Sequence, residues 1–240
     1  MPSFALPIFL AIVAAGANVA GGAIVTAHGW ANSSLRYFIA LGSGFMLGAV
    51  FLEMIPESIN AIDNAPAWVL GGYLIVHMFE HTFAPHLHFG EETHHDEVTA
   101  RVGVSALIGL LVHTFFDGVA IGAAFQVSSS TGVLIFLAVL LHKIPDGFTV
   151  SSIALSSGFS RKTAFNCAVL LGLATVGGVI AVLLTGGNSP SYALPISAGA
   201  TLYVAASDLM PEVNREPGVK LAFVVFLGVA MFLGAAAIVR

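Results

Sequence analysis

Leu111-Val-His113-Thr-Phe-Phe-Asp117-Gly118 and, 29 positions later, Leu140-Leu-His142-Lys-Ile-Pro-Asp146-Gly147 are two versions of one pattern. Each lies in a long apolar run between Leu111 and Ser152, which reads as two consecutive hydrophobic helices. Histidine and aspartate stand four residues apart in both, so on a helix the two side chains share a face. An ionisable group deep in an apolar helix is costly unless it is paired, bound to an ion or close to water. Two such helices in succession, each with an imidazole and a carboxylate, therefore mark a site around which the remaining chain is organised.

Composition sets the class. Of the 240 residues, 57% are hydrophobic and 9% charged, with a mean hydropathy of +0.94. A soluble domain carries about 25% charged residues, so the chain reads as an all-α, polytopic protein embedded in a lipid bilayer, with the cell (inner or plasma) membrane as its expected location. The net charge of −5 is no guide to a nucleic-acid partner, because the few charges are scattered between apolar runs, and none is expected. The single cysteine, Cys167, excludes an intramolecular disulfide framework and a cysteine-based zinc site. The first apolar run has no basic region ahead of it and is expected to be a retained helix.

A transmembrane helix needs about 20 apolar residues, and eight stretches qualify: 4–27, 34–56, 67–85, 101–125, 131–155, 163–186, 192–212 and 219–239. Basic residues orient them. Arg36, Arg101, the Arg161-Lys162 pair, and Arg215 with Lys220 fall in alternate connections, and the other three connections have no Lys or Arg. Both termini are therefore expected outside the cytoplasm.

A second repeat surrounds the first. Gly44-Phe-Met-Leu-Gly-Ala-Val-Phe-Leu-Glu53-Met-Ile-Pro56-Glu57 resembles Gly199-Ala-Thr-Leu-Tyr-Val-Ala-Ala-Ser-Asp208-Leu-Met-Pro211-Glu212, at an offset of 155. Spans 2 and 7 cross in opposite directions, so the repeat is inverted, a frequent plan in carriers that alternate access around a midplane site. The acids Glu53, Glu57, Asp208 and Glu212 then stand as candidate mouths of one route. The expected organisation is residues 1–85 (spans 1–3), 86–100 (a cytoplasmic loop), 101–157 (spans 4 and 5 with the site) and 158–240 (spans 6–8).

The loop 86–100 concentrates His86, His88, His94 and His95 with Glu91, Glu92, Asp96 and Glu97, and His77, Glu80 and His81 precede it at helical spacing. Mixed imidazole and carboxylate suit borderline divalent cations. Without fixed ligand spacing, the loop reads as a low-affinity collecting or sensing segment.

Spans 4 and 5 are antiparallel about a turn at Gln126–Thr131. At 1.5 Å rise per residue, Asp117, His142, His113 and Asp146 lie roughly 17, 20, 23 and 26 Å from it. All four thus sit near the middle of a hydrocarbon core about 30 Å thick. Two imidazoles and two carboxylates satisfy a divalent cation and, lacking a thiolate, can release it. Pro145 frees one carbonyl beside the site. Two other readings stay open here: polar groups that cross-link helices, and a proton relay built on histidine.

These residues resemble the ZIP (Zrt- and Irt-like) metal transporters over essentially the whole chain. The carriers of the resemblance are His113-x-x-x-Asp117-Gly118, His142-x-x-Pro145-Asp146-Gly147, the Pro-Glu ends of spans 2 and 7, and the eight-span count. It implies movement of a divalent transition metal toward the cytoplasm, a 3+2+3 arrangement of helices, elevator-like alternating access and a homodimer. By motif match it puts His113, Asp117, His142 and Asp146 on metal-ligand positions and Met46 on a position where a thioether can join them. Three residues depart from the family pattern: Thr114 replaces a common Asn, Lys143 a common acid and Thr175 a common Glu. Those positions help form a second metal site in two-metal members, so the departures argue for one metal, with the Lys143 ammonium in place of the other and paired with Asp117 or Asp146. A His-Lys pair at this point occurs in one branch of the family. Zinc is the expected cargo, with iron, manganese, cobalt and cadmium sharing its ligand preferences. The competing classes are a membrane-embedded metal-dependent hydrolase and a proton-coupled carrier of a non-metal solute. No His-Glu-x-x-His or serine-nucleophile motif supports the hydrolase, and the chain is not expected to be an enzyme.

Overall fold

A computed structural model describes residues 5–28, 32–83, 100–185, 189–214 and 219–239. The loop 86–99 lies outside the described residues, and so do the side chains of Glu80 and Glu212. Every element among the described residues is helical: α1 (Ala5–His28), α2 (Asn32–Ala49), α3 (Ile55–Ala61), α4 (Ala65–Phe83), α5 (Ala100–Val127), α6 (Ser129–Ser156), α7 (Arg161–Thr185), α8 (Ser189–Tyr203), α9 (Met210–Asn214) and α10 (Val219–Val239). Two π-helical stretches, Val50–Met54 and Val204–Leu209, join α2 to α3 and α8 to α9.

Six of these rods are long and apolar enough to cross a membrane among the described residues: Ala5–Ala27, Ile39–Ala61, Leu107–Val127, Ser129–Ser156, Arg161–Thr185 and Val219–Val239. The other two of the eight expected spans differ for identifiable reasons. In α4 the apolar stretch is shorter, Ala65–Phe79, because His77, Glu80 and His81 occupy its last turns. Span 7 is divided into α8, a π-helical stretch and α9, and carries Pro195, Asp208 and Pro211. The protein is an all-helical, multi-pass membrane protein.

Local signals set the hairpins. Ser128, with extended backbone, separates α5 from α6 and accepts a hydrogen bond from the Thr131 amide at 3.0 Å, an N-cap that satisfies one orphan donor. α6 ends in a Schellman arrangement: Phe159 N donates to Ala154 O, Gly158 N donates to Leu155 O, and Gly158 takes the left-handed φ of 82°. Ser160 then caps α7 through the Thr163 amide.

The packing repeats as the sequence does. Helices α1 and α7 each lie against one of the central pair, α1 on α6 and α7 on α5, and α1 also packs on α7. Outside them α2 pairs with α10 and α8 pairs with α4. The contacts are backbone to backbone: a Cβ at Gly44 would collide with the Val225 carbonyl, and one at its repeat partner Gly199 with the Val69 carbonyl. In lipid, helices associate through such close approach, since apolar side chains gain nothing by leaving the hydrocarbon. Accordingly α5 and α6 bury 67% of their apolar windows and α10 only 17%.

The two π-helical stretches occupy equivalent places in the repeat. Each precedes a proline, Pro56 or Pro211, which lacks an N–H and crowds the carbonyl four residues back. An inserted residue relieves that conflict by widening the turn. In both, the repeat's acid, Glu53 or Asp208, is buried within the widened turn.

Candidate metal centre

The i,i+4 spacing on α5 aims His113 and Asp117 at α6, and the same spacing on α6 aims His142 and Asp146 back. One ligand atom from each of the four residues falls within 4.8 Å of all the others, and all four residues are buried. His113 Nε2 stands 3.2 Å from Asp117 Oδ2 and 3.6 Å from Asp146 Oδ2. Neither approach makes a directional hydrogen bond, so this buried nitrogen has carboxylates beside it but no hydrogen-bond partner among the described residues. His142 Nε2 lies 3.2 Å from Asp117 Oδ2, while its Nδ1 contacts the Ala138 carbonyl at 3.0 Å. That backbone contact turns Nε2 inward, as carbonyls commonly do for metal-binding imidazoles.

Lys143 lies among these groups and is completely buried. Its Nζ donates to Asp117 Oδ2 and, at 3.0 Å, to Asp146 Oδ2. The ammonium thus bridges the two carboxylates. Two ionised carboxylates this deep in lipid would be very costly without a cation between them, and Lys143 supplies it. With neutral imidazoles the group carries a formal charge of −1, which a divalent ion turns to +1.

Thr114 is buried and its hydroxyl has no hydrogen-bond partner among the described residues. Thr175 is buried on α7, donates to its own helix at Leu171 O, and presses its carbonyl against Gly118, next to Asp117. Met46 is buried on α2 one turn beyond Gly42, which packs against Leu141 and His142. The thioether position is therefore on a helix that reaches the centre.

The remaining expected residues lie elsewhere. Glu53 Oε1 accepts a hydrogen bond of 2.9 Å from Thr131 Oγ1 at the start of α6. Asp208 is buried in the second π-helical stretch, and Glu57 is half-buried on α3. The His77 and His81 rings lie tilted against each other at 4.1 Å between centroids near the end of α4, with Tyr203 edge-on to His77 at 5.8 Å. The four-residue centre includes none of them.

Sequence reasoning missed Asn18 on α1. It is fully buried, and neither its Nδ2 nor its Oδ1 has a partner among the described residues. Nothing in the sequence marked it, since the repeat offset of 155 falls on Leu173 and the match with Thr175, 157 residues on, emerges from the packing of Gly147 and Gly118.

A helical membrane protein with two histidines and two aspartates converging on adjacent central helices is the class defined by this geometry. Comparison with known proteins gives the family. Residues 88–239 match the family model described as "ZIP Zinc transporter". The chain belongs to the ZIP family. It is 36% identical to the zinc transporter SLC39A7 of Homo sapiens over 116 residues, 44% of this chain and 25% of that one. Zinc transporter ZIP9 of Micropogonias undulatus is 26% identical, with 80% of each chain covered. Zinc transporter ZIP13 of Pongo abelii is 28% identical over 76% of this chain and 60% of its own. The matched stretch thus spans about a quarter of the SLC39A7 relatives.

Proposed function

We propose that the protein carries one divalent transition metal ion at a time, zinc first, toward the cytoplasm through a centre made by His113, Asp117, His142 and Asp146. The observation that carries the reading is the convergence of four ligand atoms within 4.8 Å, from two buried His-x-x-x-Asp pairs. Two imidazoles with two carboxylates match zinc, and the absence of a thiolate from the set favours release as well as capture. The names of the relatives, zinc transporters throughout, point the same way. A hydrolase would need an activated water and a substrate cleft, and the family's description is that of a transporter.

Lys143 sets the stoichiometry in this proposal. Its ammonium holds both carboxylates, so an arriving ion must displace a tethered cation and a second ion meets repulsion. Thr114 leaves that second position without its amide and Thr175 without its acid. Movement follows from the packing: α1 and α7 are locked to α5 and α6 by backbone contact, and this group of four travels as an elevator against α2, α4, α8 and α10. Both termini lie outside the cytoplasm, and Met46 adds its thioether in one of the end states. The mouth residues are Glu53 and Glu57 on one side, and His77, Glu80, His81, Asp208 and Glu212 on the other. A homodimer, with its contact on the glycine-rich helix faces, completes the proposal; cross-linking in membranes tests it.

The deciding experiment is accumulation of radiolabelled zinc by cells expressing the wild type beside Asp117→Asn at matched surface expression. Zinc uptake by the wild type and its loss in the variant is the expected result. Uptake that survives Asp117→Asn would move the centre elsewhere, and no uptake of zinc or competing metals by either would overturn the carrier reading.

A further inference from the structure

Buried polar side-chain atoms without partners are rare in folded proteins, and each asks for an explanation. Among the described residues five such atoms occur: His113 Nε2, Thr114 Oγ1, both amide atoms of Asn18, and Ser157 Oγ. Ser157 belongs to the cap of α6. His113 lies in the centre and Thr114 adjoins it in sequence. Asn18 is on another helix, yet a Cβ at Gly147 would collide with the Asn18 carbonyl, so its backbone abuts the residue that follows Asp146.

Symmetry gives the placement meaning. Gly118 follows Asp117 and meets the Thr175 carbonyl on α7; Gly147 follows Asp146 and meets the Asn18 carbonyl on α1. The flanking contacts repeat as well: a Cβ at Gly178 would strike the Phe115 carbonyl, and one at Gly21 the Ile144 carbonyl. Asn18 and Thr175 are therefore equivalent positions on the two sides of the centre. Their chemistry differs. Thr175 satisfies its hydroxyl within its own helix, whereas the Asn18 amide has no partner among the described residues. Ala11, Ala14 and Gly21, which share its buried stripe on α1, offer no polar group either. An apolar residue would fill such a position without penalty, so the amide marks a place where a polar guest is received.

We infer that Asn18 is a further cargo ligand: its Oδ1 supplies an oxygen to the divalent ion on the Asp146 side of the centre. An amide oxygen suits this step. It coordinates zinc or its cobalt substitute more weakly than a carboxylate, adds no charge, and can hold the ion or its remaining water as the Asp117 side lets go. The inference rests on the proposed metal-carrier reading, deepening it by a ligand from α1.

Cobalt(II), whose visible absorption reports its ligand set, tests the inference on the full-length protein in lipid nanodiscs. Wild type, Asn18→Ala, Asn18→Asp and Asp117→Asn are titrated with cobalt while thermal unfolding is followed separately. The expected result is that Asn18→Ala raises the cobalt Kd at least tenfold and shifts the visible band, and that Asn18→Asp tightens binding and shifts the band differently. A Kd within twofold of wild type and an unchanged band in Asn18→Ala, whatever its unfolding temperature, would show a packing role and overturn the inference. If Asn18→Ala fails to fold, Asn18→Asp decides: unchanged affinity and spectrum overturn the inference, and a tighter, shifted site upholds it. Wild type that binds no cobalt would overturn the carrier reading itself, whereas wild-type binding lost in Asp117→Asn but untouched at Asn18 removes only the fifth ligand.

Discussion

Replacing Lys143 by Met keeps a flexible chain of similar volume and removes one charge, so little packing is lost. What remains is two carboxylates, Asp117 and Asp146, that are 1% exposed and deprived of the cation that bridged them. Breaking a buried charge pair by removing one partner costs about 3–5 kcal/mol, because the surviving charge stays buried. For a chain of this size, that corresponds to an unfolding temperature lower by on the order of 10 °C. The cost falls on the metal-free protein. With zinc bound, the ion itself neutralises the carboxylates and no lysine has to be displaced first. The same free energy therefore returns as affinity, roughly a hundredfold to a thousandfold in Kd.

The assay is thermal unfolding of purified protein in detergent, first with chelator and then across a zinc titration. Lys143→Met should unfold well below wild type in chelator and recover most of the difference in saturating zinc, so that its metal-induced shift exceeds that of wild type. Uptake should slow as retention grows. A variant as stable as wild type in chelator, with the same shift on adding zinc, would refute the reasoning, since Lys143 would then not be the standing counter-ion of the carboxylates.

Further outcomes follow from the same geometry. Lys143→Glu should raise the bound zinc from one ion per chain to two, counted by elemental analysis after gel filtration; a count that stays at one would show that the lysine is not what excludes the second. Gly147→Val drives side-chain atoms into the Asn18 backbone and should cost about 1–3 kcal/mol or more in overpacking, visible as a lowered unfolding temperature. Thr131→Val removes the hydrogen bond that ties the start of α6 to Glu53 on the α2–α3 rod. It should change the rate of zinc uptake while leaving the equilibrium Kd for zinc within about threefold, as expected where only about 0.5–1.5 kcal/mol of hydrogen bonding is lost away from the centre. Gly158→Ala forces a side chain into the left-handed region at the end of α6 and should destabilise by about 1–2 kcal/mol, with metal binding intact.

The convergence of the four residues was legible because charge in an apolar run is conspicuous and because i,i+4 spacing is a geometric statement. Helical rise alone placed the four residues within about 9 Å in depth; the structure tightens that to 4.8 Å between ligand atoms, since side chains on facing helices reach toward a common point. The partner of Lys143 was legible only as a choice between Asp117 and Asp146, and the ammonium takes both. Asn18 was not legible. A neutral amide in a run of Ala, Gly and Val is an ordinary residue until its lack of partners is known, and that is a property of three helices at once. Nor could the π-helical stretches be read in advance. Pro-Glu marked a helix end in sequence, but the helix continues past Pro56 to Ala61, and the chain absorbs the proline by widening the preceding turn.

That widening connects the two repeats mechanistically. π-Helical turns are rare and recur at functional sites, and among the described residues they occur at equivalent positions on the two rods that pack against the central helices. Val50–Met54 contacts α6 and α8, and Val204–Leu209 contacts α2. Ser43 on α2 donates to the Ala205 carbonyl inside the second stretch. Each rod therefore departs from α-helical geometry at the level of a buried acid, and the acid of the first stretch is bonded to the helix that carries His142 and Asp146. If the site-bearing helices move, the Glu53–Thr131 hydrogen bond must break, and the loosened turn is where α2 can follow with little loss of backbone bonding. In the proposed carrier the second copy would adjust in the same way at Asp208 for the opposite movement. If the carrier alternates access as proposed, these matched turns are where the two rods would adjust as one site turns from one solution to the other.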